Sequence, residues 1–487
     1  MPHPVAHLSL ALAMLVALAA PARAELSAAR LWENWRTVAA AAGQSLTAGR
    51  EEPGQRSLVL HDLRSVIARD GMASESHLAW MRLDERSDGS VRVTLAEEAR
   101  FESRFRDAAG REGVLAMRLS QNGTEIVVRE TEAGLEQALG AERMALGDLV
   151  LLLEDVRQDI ALELVSEGLT TRQTMRLQPG APLTSRGSAA AHRLTLTLDA
   201  APQAEPGARV SLDAALDAPE WSFDLRAEDA ERALSGVPGA GAVLGFDLAY
   251  GQLSVRLVSG TITPTTAELA AEAGRLLLTT GREGDVALEV RAGAARALVS
   301  GPGVPLGQVS LTAADSLLRL DMPQVASGLG MPFDLALTVA RLMPGPEHLA
   351  PGSAAAELAE GGVQAELALT GRLSPVMGAP PPAIEALNLD RLRVSFADAV
   401  LSGSGALTQG DGAGAAPLEG DLTFTIDGGD ALLQALHAAG VIADNQIMGL
   451  RMMMAMFTLP GETPDSAVVT LAFSPEGRIL LNGAPLN

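Results

Sequence analysis

Apolar residues recur at every second position through most of this chain. Segments 91–95 (VRVTL), 114–119 (VLAMRL), 193–198 (RLTLTL), 252–257 (QLSVRL), 285–290 (DVALEV), 333–339 (FDLALTV), 363–369 (VQAELAL) and 421–426 (DLTFTI) each put their apolar side chains on one side of an extended backbone. Alternation over this length marks a strand with one buried and one solvated face. The pattern predicts a mainly β (α+β) protein of extended, twisted antiparallel sheets.

Turn chemistry divides the alternating runs. Met117 and Leu119 lead into Gln121-Asn122-Gly123-Thr124 and out to Ile126 and Val128. Asn-Gly suits a two-residue turn in which both central residues have positive φ, so a hairpin is expected there. Asp88-Gly89, Pro475-Glu476-Gly477 and the glycine-rich stretch 408–421 read as further tips.

Helical spacing is confined to four places. Leu31, Trp35, Val38 and Ala42 share one face of an N-terminal helix that Gly43 would stop. Segments 134–156 (GLEQALGAERMALGDLVLLLEDV) and 430–442 and the methionine-rich stretch ending at Phe457 read as three more packed helices. Segments starting at Trp221 and Leu422 both pass from strand through acidic residues into a short helix, which suggests duplicated architecture. Pro/Gly-rich composition near 178–190 and 343–353 gives candidate boundaries. They divide the chain into a signal peptide at 1–24, an N-terminal β-rich domain with its leading helix at 25–180, a middle β-rich domain at 181–345 and a C-terminal β-rich domain at 346–487. Read as long hairpin loops, the same stretches leave one continuous unit.

Residues 8–20 (LSLALAMLVALAA), followed by Pro21 and Ala22-Arg23-Ala24, have the form of a secretory signal cleaved before Glu25. The run falls short of the roughly 20 apolar residues that cross a bilayer, and no transmembrane segment is expected after cleavage. All 37 basic residues are arginine, which reflects a GC-rich genome and points to a bacterial periplasm. Cleavage removes Arg23 and no acid, leaving 36 basic and 60 acidic side chains, a net charge of −24. Such a balance argues against nucleic acid, whose binding rests on neutralising phosphates. The chain has no cysteine, which excludes disulfides, thiolate metal sites and a lipoprotein anchor.

Catalytic signatures are lacking. His61, His77, His192, His348 and His437 stand apart in sequence, without His-x-x-x-His or His-Glu pairing. Gly403-Ser404-Gly405 lacks the outer glycines of a nucleophile elbow. The glycines of 239–245 (GAGAVLG) precede a strand-like segment, the reverse of the order that sets a helix N-terminus on a pyrophosphate. No catalytic residue, cofactor or metal site is assigned. Met448, Met452 and Met456 fall at i, i+4, i+8, a spacing that can hold Cu(I), but thioethers on an apolar helix face serve more often as deformable packing or a contact surface. Trp32 and Trp35 share one side of the N-terminal helix, where they would clamp it to a sheet, with a ring at a groove mouth as the alternative.

The segments LWENWRTVAAAAGQSLTAG near the N-terminus and GVIADNQIMGLRMMMAMFTLPGETPDSAVVTLAFSPEGRILLNGAPLN at the C-terminus resemble the alphaproteobacterial exported family known as domain of unknown function twenty-one twenty-five. That resemblance implies an envelope location and a β-rich architecture over most of the mature chain, and supplies no activity. The expectation is an exported, non-enzymatic envelope protein that binds lipid or another apolar ligand in a groove drawn from Met448, Met452, Met456, Phe457, Trp32 and Trp35. The alternative is a structural or interaction protein with a self-filled core and an envelope protein as partner.

Overall fold

The computed structural model describes residues 26–486 except 42, 70–71, 107–109, 177–181, 202–206, 229–241, 262, 282–284, 305–306, 324–329, 346–347, 349–351, 374–383 and 411–416. The expected signal segment, part of the glycine-rich tip (411–416) and the helix expected after the Trp221 strand lie outside these residues. Two compact units are formed, the first from the described residues within Met1–Glu268 and Thr279–Glu283, the second from those within Leu269–Leu278 and Gly284–Asn487. No helix among the described residues is long and apolar enough to cross a membrane.

The first unit opens with helix α1 (Ala28–Ala41), started by Ser27, whose Oγ accepts from the Arg30 N–H, and closed by Gly43 at φ 69°. An antiparallel meander follows in sequence order: β1 (Gln44–Pro53), β2 (Ser57–Arg69), β3 (Met72–Glu85), β4 (Val91–Leu95), β5 (Glu98–Arg106), β6 (Glu112–Asn122), β7 (Glu125–Thr131) and β8 (Gly134–Leu153). Strand β3 pairs with β4 over one half of its length and β5 over the other, and β8 pairs likewise with β7 and β6. Thus β4–β5 and β6–β7 are single long rungs, each interrupted midway. The rungs continue through Ile160–Arg176, Leu183–Ala190 with Arg193–Ala200, Arg209–Asp217 with Glu220–Ala227, and Val243–Gly260.

The interruptions form a line across the sheet. Buried side chains occupy Leu58 and Leu60 but then Leu63 on β2, and Ala141 but then Met144 on β8. Each rung therefore gains one residue at which odd and even positions exchange faces. Asp62 (φ 51°), Gly123 (φ 63°), Gly168 (φ 62°) and Ala218 (φ 46°) sit at such points in the left-handed region. Register is conserved through the line: Glu167 pairs with Arg193 and Thr170 with Ala190, flanking Gly168.

Two sequence expectations fail here for this reason. Asn122-Gly123 makes no hairpin, because β6 and β7 run on in the same direction along β8. Only Gly123 takes a positive φ, whereas the hairpin turn needs both residues there. The hairpin instead closes at Glu132-Ala133, between β7 and β8. Segment 134–156 is not a helix: Gly134–Leu153 is a 20-residue strand. The exchange of faces spaces Ala141 and Met144 by three, which imitates helical periodicity, while pairing on both edges fixes the extended form. The other alternating runs, the Asp88-Gly89 turn and the Pro475–Gly477 turn fall in strands and tips as the pattern predicts.

The second unit repeats the meander through Asp285–Ala292 with Ala295–Ser300, Gln308–Ala313 with Asp315–Pro323, Met331–Pro344, Val363–Leu373, Ile384–Phe396, Ala399–Gln409, Leu418–Asp427 and Ser466–Phe473. Helix α2 (Ala354–Ala359) precedes the Val363 strand, and α3 (Gly429–Ala438) and α4 (Asp444–Phe457) lie between the last two strands. Phenylalanines lie over cross-strand glycines in both units. A Cβ at Gly187 would fall 2.5 Å from the Phe223 ring, at Gly371 2.6 Å from Phe333, and at Gly403 2.7 Å from Phe424. Each ring fills the place of the missing side chain.

The turnover line makes a direct prediction. Gly168→Ala places a Cβ in the left-handed region and against the His192 ring, and should lower unfolding free energy by about 1–3 kcal/mol. Gly140→Ala, on a strand with open space around it, should leave the urea midpoint nearly unchanged. Equal midpoints for the two variants would contradict the assigned strain.

Candidate functional site

Because the register is constant, residues on one face line up across the whole first unit. One row runs from Ala48 and Leu63 through Leu78, Ala99, Leu119, Leu146, Leu164, Leu196 and Ala214 to Val255, without a polar side chain. The opposite face carries cross-strand ion pairs, such as Arg209–Asp199 at 2.7 Å and Arg193–Asp217 at 3.2 Å. Both pairs are exposed and screened by solvent, but together they mark this face as the wet one.

At its N-terminal end the apolar face is filled. Leu31, Trp32, Trp35 and Val38 of α1 join Leu60, Leu83, Val93 and Ile126 in one core cluster. Both tryptophans are 3% exposed, and Trp32 Nε1 donates to Glu51 Oε1 at 2.9 Å. They clamp the helix and do not stand at a groove mouth. Farther along the same face the cover ends, and Leu164 is 41% and Leu257 38% exposed. Between these regions Leu119, Leu139, Met144, Leu169, Leu194 and Trp221 pack together from both sides of the turnover line, so the two halves of the apolar face approach each other there.

A comparable row in the second unit runs Val290, Leu318, Leu337, Leu367, Leu392, Gly403, Phe424 and Val469. Phe424 lying over Gly403 keeps this row low where an upright ring would obstruct it. A cleft of about 480 Å³ at the ends of these strands is lined by Val286, Met322 and Phe333 together with Asp321, Asp334 and Asn388. Among the described residues no group of three or more His, Asp or Glu side chains is placed to hold a metal.

Met448, Met452 and Met456 do share one face of α4, with 70%, 67% and 68% exposure, and Phe457 follows at 40%. The helix is anchored from its other side. Ile447 is buried, and Arg451 Nε donates to Asp430 Oδ1 of α3 at 2.5 Å. That guanidinium, with Gln434, holds the Asp430 carboxyl below its usual pKa. The Asp465 carboxylate accepts the Asp430 and Ala431 N–H groups at 2.8 and 3.1 Å, satisfying the α3 N-terminus. The structure thus places the tryptophans in the first unit's core and the methionine face on the second unit's surface. The longest apolar surface is the row across the first unit's strands, where the one-sided Leu and Val alternation places it.

A family model described as an uncharacterised protein conserved in bacteria (DUF2125) matches residues 225–487, which include the C-terminal segment singled out above and not the N-terminal one. No curated protein and no solved structure matches the chain.

The two aromatic and methionine sets should respond oppositely to substitution. Trp35→Ala empties a closed core and should cost about 3–5 kcal/mol in chemical denaturation. Met452→Asp with Met456→Asp should shift stability by no more than about 0.5 kcal/mol per site. A large loss from the methionine changes would mean that α4 packs on something through that face.

Proposed function

The chain belongs to the bacterial DUF2125 family, whose members are described only as uncharacterised, and we propose from its geometry that it is a non-catalytic binding protein for an apolar ligand, most simply an acyl lipid. The observation that carries this reading is the polar-free row crossing ten rungs of the first unit, closed by α1 at one end and left partly open beyond. Contiguous exposed apolar surface of this extent marks binding sites in soluble proteins. Covering a half-exposed leucine recovers part of the roughly 1.5–3 kcal/mol that full burial of such a side chain provides.

Export to the bacterial periplasm belongs to the same proposal and rests on the N-terminal 24 residues. An acyl chain is slender and featureless, and it matches a strip of Leu, Val and Ala without directional groups. The methionine face of α4, adaptable and exposed, supplies a second apolar contact for lipid or for an envelope protein. No cofactor enters this scheme.

Native mass spectrometry with organic extraction, on protein purified from a periplasm without detergent, should find a near-stoichiometric acyl lipid. Leu164→Asp and Leu257→Asp set a carboxylate in the open part of the face and should abolish that adduct while leaving the circular dichroism spectrum unchanged. A clean apo mass that persists after incubation with envelope lipids would replace this reading with that of a structural or interaction protein.

A further inference from the structure

The apolar face of the first unit is interrupted where the cover of α1 gives out, by a small set of polar side chains. Gln137 on β8 is 7% exposed, and its Oε1 is buried without a hydrogen-bond partner. It stands between buried Val128 of β7 and Gln173 of the next rung. Gln173 Nε2 donates to Ser185 Oγ at 2.9 Å, and Ser185 is 3% exposed. Two residues along β7, Glu130 Oε1 accepts from Arg30 Nη2 of α1 at 3.0 Å while its Oε2 is also buried without a partner. Leu135, Met175 and Leu183, all at most 5% exposed, surround the group. Glu130 and Gln137 are diagonal neighbours on adjacent strands, within reach of one bound group.

An unpaired buried acceptor is costly, and two of them on one apolar face call for a common donor. We infer that Gln137 and Glu130 form a head-group subsite for an amphiphile whose polar end donates hydrogen bonds and carries no negative charge, such as the glycerol hydroxyls of a monoacylglycerol. The inference rests on the apolar-face reading above and adds a polarity to it: the head lies against the end of the α1 plug and the chain extends along the row toward Leu164. A carboxylate head is disfavoured because both free atoms are acceptors. The nearby pairs Arg172–Glu136 and Arg186–Asp224 lie on the opposite face by strand alternation.

The test is displacement of the fluorophore N-phenyl-1-naphthylamine from the full chain at pH 8 by 1-monooleoylglycerol or by oleate. Wild type should bind the monoacylglycerol at least ten-fold more tightly than oleate. Gln137→Leu removes one acceptor without enlarging the side chain, and should weaken monooleoylglycerol about two- to ten-fold with fluorophore affinity unchanged. Glu130→Gln, which turns one acceptor into a donor, should narrow the preference from both sides. Equal displacement by the two amphiphiles in wild type, or variants that bind the fluorophore and keep the wild-type preference, would overturn the subsite. Failure of wild type to bind the fluorophore at all would overturn the apolar-face reading itself. Melting temperatures no lower than wild type are expected for Gln137→Leu, since the change removes an unsatisfied polar atom.

Discussion

A β-strand shows its side chains to two sides in strict alternation, and the rungs of the first unit break that alternation along one shared line. At some rungs the break falls on a residue in the left-handed region, as at Asp62, Gly168 and Ala218. Because it falls at the same height on neighbouring rungs, the ladder keeps its register and the apolar residues of both halves stay on one side. Without a common height, each half-strand would turn its leucines toward water on one stretch and its arginines inward on the next. Continuity of the apolar face, the packing of Leu119 and Leu139 into one cluster, and the ion-paired outer face all follow from this single alignment.

That face is finished differently along its length. Helix α1 supplies bulky side chains that close one end, and it is tied down polarly as well, with Glu85 accepting its first N–H group and Glu130 pairing with Arg30. Beyond it the surface is left shallow. Phe223 lies flat over Gly187 and leaves the space above the sheet free, and in the second unit Phe333 and Phe424 lie over glycines in the same way. Large aromatic groups are thus used to fill gaps in the sheet itself, which suits a chain with only nine phenylalanines and one tyrosine.

Strand content and the N-terminal helix were legible because period two and period 3.6 are strong local signals. The turnover line was not, since a left-handed residue at Ala218 or Asp62 leaves no compositional mark. Its effect was to cut long rungs into runs such as 193–198, and on β8 to counterfeit a helix by spacing Ala141 and Met144 three apart. Asn122-Gly123 shows the same limit: the residues can form a tight turn, but pairing with β8 on both sides of Gly123 decides otherwise. Of the candidate site, the methionine face was readable from spacing alone, and the clamp role of Trp32 and Trp35 from their position. The subsite at Gln137 was not readable, because a glutamine in a strand gives no hint of which face it will occupy after a turnover.

The meander has one further property. Among the described residues each rung of the first unit pairs with the rungs before and after it in sequence, so two more rungs can be spliced in as a hairpin without rerouting any other strand. Each added rung lengthens the apolar row by about 4.8 Å, and the present ten span about 43 Å, roughly twice the extended length of an eighteen-carbon chain. The rung count therefore sets the length of the apolar row, and insertion or deletion of a whole hairpin would change that length in steps of two rungs.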